Sequence, residues 1–140
     1  MTTPTSSVVF DFKLFFDIAE DHATQGLKSM ITNGLNSQEE AQLRVAITCA
    51  YFSGLGGAKQ HLTQQDSYLL QGSLGNTYTE VHDAFANLDL AHQKVAVLLE
   101  ELRDLHMTAS YLDIHPAPEA QARTALVVII MLQQQLASIP

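Results

Sequence analysis

The chain has 140 residues, with 7 Lys plus Arg against 15 Asp plus Glu, giving a formal net charge of −8 with its 6 His neutral. This length fits one domain with a core of its own, and the lone Cys49 excludes an intramolecular disulfide. So acidic a surface repels phosphate backbones, and no block of Lys and Arg offsets it locally, so nucleic acid is not an expected partner.

Residues 1–7, small and polar with Pro4, read as a flexible leader, and 8–140 as a single helical-bundle domain. Residues 1–12 hold no Lys or Arg and no apolar signal core, so a cytoplasmic location is expected. The first helical segment carries its apolar stripe on Val9, Phe12, Phe16, Ala19, Ala23, Gly26 and Met30. Asn33-Gly34 predicts its end, because glycine enters the left-handed conformation of a helix stop without steric cost. Ser37-x-x-Glu40 has capping-box spacing and predicts the next start.

In the second segment Ala46, Ala50, Gly54 and Ala58 recur every fourth residue, a ridge of small side chains that lets a neighbouring helix come close. Gly54, Gly56 and Gly57 also mark the expected place of a kink, and whether the helix divides there stays open. Gln71 to Asn76 forms a second break, followed by the capping-box spacing of Thr77-x-x-Glu80. The third segment has the clearest periodicity, with Val81, Ala84, Leu88, Ala91, Val95, Leu98, Leu102, Leu105, Ala109 and Leu112 in steps of three and four. Read as one continuous helix, it is the seam of a bundle, widened by Phe85 and Leu99 beside the stripe.

His115-Pro116-Ala117-Pro118 is the third break, with proline suited to the first turn of a new helix. The fourth segment contains Val127, Val128, Ile129 and Ile130, which are β-branched, but good helix formers flank them and the element exceeds strand length. The fold expected is all-α, a four- to five-helix antiparallel bundle of long helices. Residues 125–132 form an apolar run well short of the roughly 18 residues of a membrane span, so no membrane insertion is expected. That run is apolar on every side of its helix, which predicts a second chain against it. Leu126, Val127, Val128, Ile129, Ile130 and Met131 are the predicted interface of a homo-oligomer.

Catalytic patterns are missing from the sequence. No Gly-x-Ser-x-Gly elbow or phosphate-binding Gly-x-x-x-x-Gly-Lys loop occurs, and Cys49 lies in an apolar stretch where burial leaves a thiol inert. No cofactor is expected. Asp89-x-x-His92, together with His82 and His106, forms a polar stripe beside the seam and is the alternative metal-binding set. A second Glu-x-x-His motif, which carboxylate-bridged metal bundles require, is lacking, so solvated boundary residues are the plainer reading. Tyr51, Phe52, Tyr68 and Tyr78 are the candidate lining of a small-ligand pocket, against the plainer reading that they fill the core and its edges. These features together predict a non-catalytic homodimeric adaptor, regulator or chaperone-like protein that binds another polypeptide, with a metal- or small-ligand-binding bundle as the alternative.

Overall fold

The computed structural model describes residues 17–25, 37–64, 77–111 and 117–139. Five helices pack against one another: α1, described over 17–25; α2, Ser37–Thr63; α3, Thr77–Ala86; α4, Leu90–Tyr111; and α5, Pro118–Ser138. There is no strand among the described residues. The β-branched run of α5 is thus helical, as its flanks predict. The leader, the Asn33-Gly34 stop and the 71–76 break lie outside the described residues.

The helices start where local sequence signals place them. α2 begins at Ser37 and α3 at Thr77, the first residues of the two capping-box spacings. α5 begins at Pro118, where a missing N–H costs nothing because the first-turn donors have no intrahelical partner. α2 runs without interruption through Gly54, Gly56 and Gly57, so the second segment does not divide there.

The fifth helix comes instead from the third segment, and this corrects the expectation of one continuous helix. Asn87 N–H closes the last α-type bond of α3 to the Asp83 carbonyl at 3.1 Å, and Leu88 N–H then makes a tighter bond to the Phe85 carbonyl at 3.3 Å. Asp89 opens α4: its carboxylate accepts the His92 backbone N–H at 3.1 Å, as an N-cap does. Val81 and Val95 of the predicted stripe stay in the core on either side of the break, while Leu88 within it is exposed.

Contacts fix the helix directions. Arg44 donates to the Ala109 carbonyl at 3.1 Å while His61 lies beside His92, so α2 and α4 run antiparallel. Gln135 donates to the Ala91 carbonyl at 2.9 Å, and Gly54 faces both Leu102 and Ile129, so α4 and α5 are antiparallel and α2 and α5 parallel. Tyr78 near Arg103 and Phe85 near His92 set α3 antiparallel to α4, on which it folds as a short hairpin.

The core lies among α2, α4 and α5, with α3 adding Val81 and Phe85 and α1 adding Ala19. Leu43, Ile47, Leu62, Val81, Phe85, Val95, Leu99, Leu102, Ile129 and Leu132 have fully buried side chains. Burial of each such side chain stabilises the fold by roughly 1.5–3 kcal/mol. The ridge Ala46, Ala50, Gly54 and Ala58 is buried, as its spacing predicts. A Cβ at Gly54 would stand 2.7 Å from Leu102 Cδ1 and 3.1 Å from Ile129 Cδ1, so hydrogen alone fits where the three helices converge.

Candidate functional sites

Three groups of side chains on this scaffold have the makings of a site. The first is a ladder of rings across α2, α3 and α4. Tyr51 stacks on His106 with centroids 4.5 Å apart and planes 2° from parallel, and Phe52 meets His106 edge-on at 5.4 Å. Tyr78 lies 6.3 Å from Tyr51 and 5.6 Å from His82, with the Arg103 guanidinium 4.8 Å over its ring. The Tyr78 phenol is pushed up to about 12, first by burial and next by the Glu100 carboxylate, with Arg103 acting the other way. Burial, then Arg103, lowers the His106 imidazole below its ordinary value. Thr48 Oγ1 at 3.4 Å and Ser110 Oγ at 3.1 Å hold its Nδ1.

The second group sits where α3 gives way to α4. Asp89 Oδ1 lies 2.6 Å from His92 Nδ1 while also accepting the His92 backbone N–H. This carboxylate, lowered first by its side-chain hydrogen bond to His92, stands at the exposed end of the pair. The other ring nitrogen, Nε2, is buried and has no hydrogen-bond partner among the described residues. His61 of α2 faces the His92 ring with centroids 6.1 Å apart, and Phe85 lies 5.7 Å from His92 and 5.9 Å from His61. Burial, then the charge of His92, lowers the His61 imidazole.

The third group is an exposed apolar face along α4 and α5. Val97, Val127, Ile130 and Met131 stand open to solvent at 63%, 56%, 40% and 48% of their free exposure. Lys94, Val97 and Leu98 of α4 and Met131, Gln134, Gln135 and Ser138 of α5 line an open groove of about 420 Å³.

The predicted metal set Asp89, His92, His82 and His106 is not one site. Only Asp89 and His92 meet; His82 pairs with Asp83 at 3.1 Å and stands 3.7 Å from Glu100, and His106 is taken up by the ring ladder. Among the described residues no group of three or more His, Cys, Asp or Glu side chains is placed to hold a metal ion. The break at Asn87–Asp89 separates His82, on α3, from the other three, which belong to the start and body of α4.

Of the predicted pocket lining, Tyr51, Phe52 and Tyr78 do come together, but against His106, His82 and Arg103, and Tyr68 lies outside the described residues. The predicted interface divides. Val128 and Ile129 are turned into this chain's own core and are corrected on that ground, Leu126 packs against the core's edge, and Val127, Ile130 and Met131 are exposed. A helix alternates its facing every few residues, so an all-apolar run sends only part of itself outward. Cys49 is buried, as its apolar stretch predicts, and burial pushes its thiol up.

His61 belongs to the second group although its own segment gives no signal of it. Its partner is distant in sequence, and only the antiparallel packing of α2 on α4 joins the two. No helix among the described residues is long and apolar enough to cross a membrane. No protein family, curated protein or solved structure matches the chain.

Proposed function

We propose that this chain is a non-catalytic interaction protein that works as a homodimer, an adaptor or regulator built on a helical bundle, with the α4–α5 face as its self-association surface. The observation that carries the reading is the set of exposed apolar side chains on α4 and α5, Val97, Val127, Ile130 and Met131, of which Val97 and Met131 line the α4–α5 groove. Scattered single apolar side chains are ordinary on a surface, whereas several on two adjacent helices around one groove support a contact surface.

A second copy is the occupant for two reasons. Copies of a chain with net charge −8 repel each other over most orientations, and this groove is lined by apolar, amide and hydroxyl side chains with Lys94 as its one charge. The size also fits. Two antiparallel helices of this length present a face of roughly 33 Å by about 20 Å, on the order of the 800 Å² per partner of a standard interface. A hairpin meeting its own copy on that face makes a four-helix arrangement closed by a two-fold axis.

Light scattering after size exclusion tests this. The chain of 15.4 kDa is expected to elute at twice its mass. Met131→Glu, which puts a charge into this face without touching the core, is expected to give a monomer of unchanged helicity by circular dichroism. A wild-type monomer at high micromolar concentration, or a Met131→Glu dimer as tight as wild type, overturns the proposal.

A further inference from the structure

The turn between α3 and α4 holds an apolar side chain in water. Leu88 is 43% exposed there, and Asn87, Leu88 and Asp89 are the only residues that join the two antiparallel helices. None of the three is the glycine or proline that short reversals commonly use, and none forbids a helix.

The phase of the two helices is the second observation. α3 meets α4 through Tyr78 with Arg103 and through Phe85 with His92. Tyr78, Phe85, His92 and Arg103 follow one another at spacings of 7, 7 and 11 residues, close to whole numbers of helical turns. A straight helix through the turn would therefore carry both contact faces of the hairpin on one side. Leu88 falls into the same stripe, seven residues after Val81 and seven before Val95. Two such helices laid antiparallel bring Tyr78 of each chain to Arg103 of the other and Phe85 of each to His92 of the other, with Leu88 covered where they cross.

We infer that Asn87–Asp89 is a hinge through which two copies of this chain exchange halves. The part up to Ala86, carrying α2 and α3, packs on α4 and α5 of a second copy, and α3 and α4 of each chain become one helix. The contacts of α2 with α4 and α5, and of α3 with α4, then recur between chains instead of within one. Exchange of this kind costs little, because the closed and exchanged forms differ only at the hinge, and a short connection favours it. The closed form keeps the Asp89 carboxylate on the His92 backbone N–H, whereas the exchanged form gains helical hydrogen bonds through the hinge and covers Leu88. Parting α2 from α4 and α5 uncovers Ile47, Leu102 and Ile129, all fully buried, so the two forms interconvert slowly and separate by size. Each lobe of the exchanged dimer still presents an α4–α5 face, so the exchange is independent of the association proposed above.

The test refolds the full chain from urea, at high micromolar concentration and in dilute solution, with Met131→Glu present to remove association through the α4–α5 face. A dimer peak is expected only from the concentrated sample. Spin labels on Thr79→Cys and Asp104→Cys, in a Cys49→Ala background and mixed with excess unlabelled chain before refolding, report distances within one chain. The labels should lie side by side in the monomer and about 37 Å apart in the dimer, the length of 25 residues of straight helix. Asp89→Ala removes the cap and should raise the dimer-to-monomer ratio by about 5-fold or more. Leu88→Gly disfavours a helix through the hinge and should lower the ratio by about the same factor. Circular dichroism of each monomer peak checks the fold. The inference is overturned if both the parent and Asp89→Ala refold to monomer alone at high concentration, if labels in a dimer stay side by side, or if Leu88→Gly forms as much dimer as its parent.

Discussion

His106 shows how a single side chain ties the fold to pH. It stacks flat on Tyr51 and is half-buried between α2 and α4, and burial followed by the nearby Arg103 lowers its proton affinity. The unfolded chain therefore binds a proton on this residue more readily than the folded chain does. Stability is then complete above the unfolded value of about 6.5 and is lost as pH falls from there toward the lower folded value. Urea midpoints measured at about pH 7.5 and about pH 5.5 should show a loss of stability on acidification, and His106→Gln should make that loss smaller. An equal loss in the variant would mean that His106 is not a source of it. His92, by contrast, owes its setting to Asp89, a residue that acts at once on a backbone donor and on a ring nitrogen.

At the scale of elements, α2 is the central helix, and its glycines do different work. A Cβ at Gly54 would collide with Leu102 and crowd Ile129, while one at Gly57 meets Leu136 Cδ1 at an ordinary 3.8 Å. Alanine favours a helix interior over glycine by about 1 kcal/mol at either position, so that gain cancels when the two variants are compared. Gly54→Ala should be less stable than Gly57→Ala by about 1–3 kcal/mol, the cost of overpacking, as read by urea denaturation. Equal stabilities would show that the three-helix contact yields freely. Much of this architecture is legible in the sequence because it is local: α2, α3 and α5 begin at Ser37, Thr77 and Pro118, the positions that the two capping-box spacings and the proline mark, and the small-residue ridge follows from spacing. The break at Asn87–Asp89 escapes the same reasoning because an unbroken apolar stripe passes over it and the decisive signal is one capping aspartate. The pairing of His61 with His92 is set by helix packing across the bundle, so no local pattern encodes it. Tyr51, Phe52 and Tyr78 are legible as a group, whereas their partners Arg103 and His106, brought in from α4, are not.

For the whole molecule, the net charge of −8 opposes the self-association proposed for the α4–α5 face. Added salt shortens the screening length from about 10 Å at 0.1 M to about 3 Å at 1 M, so it weakens repulsion between copies while leaving apolar contact intact. The dimer dissociation constant from sedimentation equilibrium should therefore fall as sodium chloride is raised, and a constant that rises with salt would mean that ion pairs hold the dimer. The excess of carboxylates is also distributed along the helices in a telling way. Glu39 and Glu40 lie in the first turn of α2, Glu80 in that of α3 and Glu119 in that of α5, while Asp89 caps α4. Helix dipoles place partial positive charge at these starts, and because α2, α3 and α5 point one way against α4, the dipoles of these four helices do not cancel. Part of the chain's acidity compensates the positive ends of its own helices, so an acidic composition that repels other molecules also helps to hold this one folded.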